Sequence, residues 1–210
     1  MRYEGRAMFD PTQAIVIANP MARRGFVGEN WAELSATIRN VLGPVELQLT
    51  ESRGDALRLG KEAIARGART VISLGGDGTH SEVVDGIMES ELNSEVSLGI
   101  LHAGTGGDFR RMIPGAEALE TACEVIRERA PVPIDVGWVR YVRDDGHSDS
   151  RFFLNITSMG MGGLVDRHVA ASKSKSSGKA KYFKAVLRAN MQYTPARIRL
   201  RIDGRDEGEH

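Results

Sequence analysis

Short apolar runs alternate along the first 130 residues with longer stretches whose apolar positions recur every three or four residues. Residues 13–18 form a compact apolar run suited to a strand buried on both faces, closed by the turn signal Asn19-Pro20. Trp31, Leu34, Ile38 and Val41 then recur at helical spacing until Gly43-Pro44 stops them. Val45, Leu47 and Leu49 alternate with polar residues as a second strand, ended by Thr50. A helix opening at Ser52-Arg53-Gly54-Asp55 carries Leu59, Ala63 and Ile64 and closes at Gly67. Residues 70–75 read as a strand, and Val83, Val84, Ile87 and Met88 line one face of the helix after it. Residues 96–101 are a further strand, and Leu119, Cys123 and Ile126 mark a helix near 115–129. This regular alternation predicts a parallel sheet with helices on both faces, an α/β domain. Its strand-end loops, 19–25, 50–54, 75–79 and 104–108, belong on one edge, where ligands of such sheets bind.

The pattern changes at Ala130-Pro131-Val132-Pro133. Ile134, Val136 and Trp138 predict a strand, the polar run 144–150 a turn, and Phe152 to Ile156 a returning strand. After the glycines at 160, 162 and 163 come a helix near 164–171, a polar loop at 172–178 and a helix over 180–191. Ile198, Leu200 and Ile202 alternate with arginines as a last strand, and Asp203-Gly204 would begin a hairpin turn. An antiparallel sandwich needs about seven strands, and residues 131–210 supply roughly three. The expected organisation is an α/β domain over residues 1–128 and the start of an antiparallel β-rich domain over 129–210, truncated from a longer two-domain protein.

Composition narrows the function classes. Apolar residues make 41% and charged residues 27% of the 210, with formal net charge zero, so nothing global favours nucleic acid. Cys123 is the single cysteine, which excludes a disulfide framework and a cysteine zinc site and fits a reducing cytoplasm. Its helical position reads as a buried small apolar residue. No apolar stretch approaches the ~18 residues of a membrane span, so a lipid substrate would be met from the water side.

The strongest chemical signal is Gly75-Gly76-Asp77-Gly78-Thr79-His80-Ser81, between a predicted strand and a predicted helix. That order gathers backbone N–H groups and the positive end of a helix dipole, and three glycines in four positions allow φ > 0 and leave room for an anion. Asp77 would repel phosphate unless a metal ion lies between them or it holds an attacking hydroxyl. The plain alternative is a tight turn with Thr79 as the helix cap. Plain readings also hold for His80 as a surface residue at the helix start, for His102 as strand-end packing, and for Trp31 and Trp138 as core residues. Arg23 and Arg24 are either solvated loop charges or cations for a phosphate. Lys173, Lys175, Lys179, Lys181 and Lys184 read as a solvated loop, or as a surface for an anionic bilayer.

Three ordered motifs carry a resemblance. Asn19-Pro20-Met21-Ala22-Arg23-Arg24-Gly25, the glycine stretch with Glu82-Val83-Val84 and Gly86, and Gly104-Thr105-Gly106-Gly107-Asp108-Phe109 match the motifs of the diacylglycerol kinase catalytic-domain family, lipid kinases related to sphingosine kinases and NAD kinases. Asp135-Val136-Gly137, Asn155 to Gly160 and Gly178 to Tyr182 resemble the start of that family's second domain. The third motif departs in one place, with Gly107 where the family has asparagine, which removes a side-chain amide worth ~0.5–1.5 kcal/mol if bonded. Asp108 reads as the cap of a helix beginning near Phe109.

The resemblance implies an ATP-binding α/β domain followed by a β-sandwich that receives the lipid, and transfer of the γ-phosphoryl group of ATP to a lipid hydroxyl such as that of diacylglycerol, with Mg²⁺. The alternatives are an NAD kinase-like enzyme and a non-catalytic nucleotide- or lipid-binding protein. Carried over, nucleotide contacts fall on Asn19, Thr50, Gly75, Gly76, Asp77, Gly78, Thr79, His80, Ser81 and Thr105, with Asp77 in the catalytic role. The general base and further magnesium ligands are expected beyond residue 210, so no metal ligand is assigned. The resemblance also implies a cytoplasmic protein in peripheral contact with the inner membrane face, admits a homodimer, and gives no role to nucleic acid.

Overall fold

The computed structural model of the chain describes residues 9–103, 113, 118–143, 145–154, 156–172 and 178–209. Contacts divide the chain into two compact units, residues 1–155 and 156–210.

In the first unit, β1 (Ala14–Ala18), β2 (Glu46–Leu49), β3 (Thr70–Gly75) and β4 (Ser97–His102) form a four-stranded parallel sheet in the order β2-β1-β3-β4. The helices are α1 (Phe26–Glu29), α2 (Trp31–Leu42), α3 (Asp55–Ala65), α4 (Asp77–Met88) and α5 (Leu119–Glu128). Alternate strand residues face opposite sides, which explains the unbroken apolar runs. Val16, Ile72, Leu74 and Leu101 pack on Ile38 and Leu42 of α2 and on Cys123 of α5. Ile15, Ile17 and Val71 pack on Leu59 and Ala63 of α3 and on Val83 and Ile87 of α4. Each fully buried side chain of this kind contributes about 1.5–3 kcal/mol. Cys123 is fully buried, and burial, helped by Glu120 and Glu124, pushes its thiol up to about 12.

The order of the strands decides where a ligand can sit. β1 and β3 are neighbours, yet the chain leaves β1 toward the face covered by α2 and leaves β3 toward the face covered by α4. Their loops therefore part, and the gap between them is the switch-point crevice where open parallel sheets bind ligands.

The unit ends in an antiparallel hairpin of β5 (Gly137–Val142) and β6 (Ser148–Phe153). Three expectations change here. β5 starts at Gly137 instead of near Ile134. The polar run 144–150 is only partly turn, because Ser148, Asp149 and Ser150 pair with Val142, Tyr141 and Arg140; the alternation of polar and apolar residues was hidden by a solvent-facing strand. Trp138 is 51% exposed, with the Arg140 guanidinium 5.2 Å from its ring centroid, so it is no core residue. Trp31, by contrast, packs half-buried against the core. The compact division falls after this hairpin, and β6 packs on α4.

The second unit holds α6 (Met161–Ala171), α7 (Gly178–Gln192), β7 (Arg199–Ile202) and β8 (Arg205–Glu209). Val165, Ala185 and Ala189 form its small core. β8 was not anticipated: Asp203 (φ 50°) and Gly204 (φ 78°) complete the turn, and the polar segment after them pairs antiparallel with β7. Strands over 199–202 and 205–209 and the earlier hairpin confirm antiparallel pairing after the parallel sheet. Among the described residues no helix is long and apolar enough to cross a membrane.

Candidate functional site

Backbone hydrogen bonds hold the strand-end loops level with one another. Thr50 N donates to Ala18 O at 2.9 Å, Asn19 N to Leu74 O at 2.9 Å, and Ala103 N to Gly75 O at 2.7 Å. Asn19, Thr50, Gly75 and Ala103 therefore stand side by side along the C-terminal edge of the sheet. Thr50 is buried, and the loop behind it is shaped by Asp55, whose carboxylate accepts from Glu51 N at 2.9 Å. That backbone bond, opposed by burial and helped by Arg58, lowers the pKa of Asp55.

Across the crevice, Asn19 Nδ2 donates to Thr79 Oγ1 at 3.1 Å, while Asn19 Oδ1 accepts from Met21 N at 2.9 Å. One side chain thus fixes the turn after β1 and ties it to the first turn of α4. The turn itself is unusual, because Arg23 (φ 51°), Arg24 (φ 62°) and Gly25 (φ 92°) are all left-handed. Each arginine there costs about 1–2 kcal/mol relative to a right-handed backbone. Both are exposed, and the Arg23 guanidinium lies 4.9 Å from the Phe26 ring centroid.

The glycine stretch works differently from expectation. Gly75, Gly76 and Gly78 do not have positive φ. Gly75 is needed for closeness: a Cβ there would stand 2.6 Å from Thr79 Cβ and Oγ1. Beside Gly78 the space is open, since a Cβ there would meet no described atom within 4 Å. Gly76 is the extended residue before α4, and its carbonyl accepts from Thr79 N at 2.9 Å and His80 N at 3.0 Å. The amides of Asp77 and Gly78 have no acceptor among the described residues, as the first turn of a helix dictates. Asp77 is exposed beside them, and Ser81 is half-buried one turn on. Open space, amides without an acceptor among the described residues and the positive end of a helix are features that anion seats share, here with a carboxylate at the rim.

His80 corrects another expectation. It is 3% exposed, not a surface residue, with Nδ1 2.8 Å from Ser73 Oγ, Nε2 without a partner among the described residues, and its ring centroid 5.7 Å from that of His102. Burial first, then His102, push its pKa down to about 4. It supports the turn from below. Thr105, with the rest of residues 104–109 including Gly107 and Asp108, lies outside the described residues, as do Asn155 and Lys173 and Lys175.

Sequence reasoning missed one buried group. Asp85 of α4 is 3% exposed at its side chain and binds Arg151 and the backbone of Phe152 in β6. A carboxylate among Val83, Val84 and Ile87 was the available signal, because a buried charge demands a partner.

The diacylglycerol kinase catalytic domain profile matches residues 13–139. A probable lipid kinase YegS-like of Cronobacter sakazakii is 34% identical over 119 residues, covering 57% of this chain and 37% of that protein. A diacylglycerol kinase of Bacillus subtilis is 28% identical over 195 residues, covering 92% of this chain and 60% of that one. The match thus spans between about a third and three fifths of the length of these curated relatives. A solved structure described as a diacylglycerol kinase from Bacillus anthracis shares the fold, with TM-score 0.60, 23% identity, and coverage of 93% of this chain and 61% of that one. With well over half of its length matched by that profile, the chain belongs to the diacylglycerol kinase catalytic domain family.

Proposed function

We propose that the chain carries the nucleotide site of an ATP-dependent lipid kinase, which transfers the γ-phosphoryl group to a lipid hydroxyl such as that of diacylglycerol. The observation that carries this reading is the Asn19–Thr79 hydrogen bond across the switch-point crevice, beside the free amides of Asp77 and Gly78. The names of the relatives supply the acceptor class.

In this reading Gly75, Gly76, Gly78 and Thr79 cradle the phosphates, with Asn19 fixing the neighbouring loop, Thr50 beside it and Ser81 one turn along α4. His80 acts from behind the cradle instead of on the nucleotide. One helix terminus contributes only ~0.3–2 kcal/mol toward an anion, so a triphosphate needs the other loops as well, with Arg24 or Arg23 as added positive charge. Asp77 suits Mg²⁺, which takes one or two carboxylates together with phosphate oxygens and waters, and the space beside Gly78 leaves room for such a complex. Bound there, Mg²⁺ would supply charge neutralisation for the transferring group. The residues of this chain hold the donor in line, and Asp77 orients metal or acceptor hydroxyl. The reading places the protein in the cytoplasm, meeting its lipid at the inner membrane face.

Turnover of labelled ATP on diacylglycerol and on NAD by the full-length protein separates the acceptors. The reading expects labelled lipid and unlabelled NAD; phosphorylated NAD would overturn it.

A further inference from the structure

The Asp85–Arg151 pair lies about 12 Å along α4 from Asp77, at 1.5 Å per residue, and outside the phosphate cradle. Both carboxylate oxygens of Asp85 are engaged by one neighbour, the β5–β6 hairpin. Arg151 Nη1 donates to Oδ2 at 2.9 Å and Phe152 N donates to Oδ1 at 2.8 Å. Within the hairpin, Tyr141 Oη donates to Asp149 Oδ2 at 3.2 Å.

Two physical points make this more than local packing. A two-stranded hairpin is marginal by itself in water, so its position depends on what it is docked to. Asp85 satisfies a backbone N–H on the outer edge of β6 and binds the arginine next to it, fixing both the height and the angle of the strand. The helix at the other end of the bond is rigidly held. Val83 and Ile87 sit in the core beneath it, and a Cβ at Gly86 would stand 2.6 Å from Leu57 O of α3. α4 is thus held on its sheet side and on its α3 side, and the hairpin is bound to the same helix that opens at the turn starting at Gly76.

We infer that Asp85 and Arg151 are positioning residues that couple the hairpin to the anion seat at the N-terminus of α4. The inference deepens the kinase reading and rests on it for its catalytic consequence: a misplacement of about 1 Å between donor and acceptor can cost of order 100-fold in rate. The pair touches neither reactant.

The test uses the full-length protein as wild type, Asp85→Asn and Arg151→Lys. Asparagine keeps an oxygen for Phe152 N–H and loses the charge that holds Arg151; lysine keeps the charge and loses the guanidinium geometry. Hydrogen exchange without ligand is read in residues 81–84 of α4 and in β6. Coupling predicts at least tenfold faster exchange in both segments for Asp85→Asn and a smaller rise for Arg151→Lys. Acceleration confined to β6 in both variants overturns it. With Mg·ATP and diacylglycerol, kcat should fall at least tenfold in Asp85→Asn while KM for ATP stays within twofold; unchanged kcat, measured well below the melting temperature, also overturns it. A full-length wild-type protein that phosphorylates no lipid refutes the kinase reading alone, and the exchange comparison still decides the coupling.

Discussion

The Asn19 side-chain amide donates to the Thr79 hydroxyl across the gap between two loops that leave the sheet toward opposite faces. Those residues are 60 positions apart in sequence. A substitution at Asn19 therefore tests whether the crevice is one site. Asn19→Asp keeps the acceptor for Met21 N, removes the donor to Thr79 and adds a negative charge. We expect a loss of about 0.5–1.5 kcal/mol in stability for the lost bond and at least a tenfold rise in KM for ATP. An unchanged KM would show that this loop does not face the nucleotide.

Gly75 and Gly78, on either side of Asp77, should respond in opposite ways. Gly75→Ala forces a Cβ to within 2.6 Å of Thr79, so it should cost roughly 1–3 kcal/mol in denaturant unfolding. Gly78→Ala meets open space within a helix, and alanine is the better helix former by roughly 0.5–1 kcal/mol. It should be as stable as wild type or more so, yet bind Mg·ATP weakly. Equal stability of the two variants would contradict the geometry.

The left-handed arginines predict a conflict between stability and binding. Glycine at position 24 removes a cost of about 1–2 kcal/mol and returns about 0.5–1 kcal/mol through the freer unfolded chain. Arg24→Gly should therefore unfold at higher temperature. If its charge serves the phosphates, KM for ATP rises in the same variant. A lower melting temperature would refute the strain.

His80 supplies a pH prediction. Its pKa in the folded protein is about 4 against an ordinary 6.5, so the unfolded chain binds the proton first. Its contribution to stability is fully present above about pH 6.5 and is lost as pH falls toward 4, by at most about 3 kcal/mol at 1.36 kcal/mol per pKa unit. His80→Asn should flatten the pH dependence of unfolding across that window. Parallel curves for the two proteins would count against the buried imidazole.

Much of this was readable from residue order alone. Apolar runs at 14–18 and 70–75 announced strands buried on both faces, and the glycine stretch announced its own place between β3 and α4. What was misread has a common cause, namely that tertiary partners are invisible to local pattern. His80 looks polar and exposed until Ser73 and His102 close around it. Gly75 looks like a positive-φ glycine until Thr79 is found against it. Asp85 needs Arg151, 66 residues away, and β8 is a polar strand whose only signal was the Asp203-Gly204 turn before it.

The most direct measurement is transfer of labelled γ-phosphate from Mg·ATP to diacylglycerol by the full-length protein as wild type and Asp77→Ala, with melting temperatures recorded for both. Asp77 is exposed at the head of α4, so its loss should leave the melting temperature unchanged. The account predicts labelled lipid with wild type and none with the variant. Near-normal kcat in Asp77→Ala would contradict it.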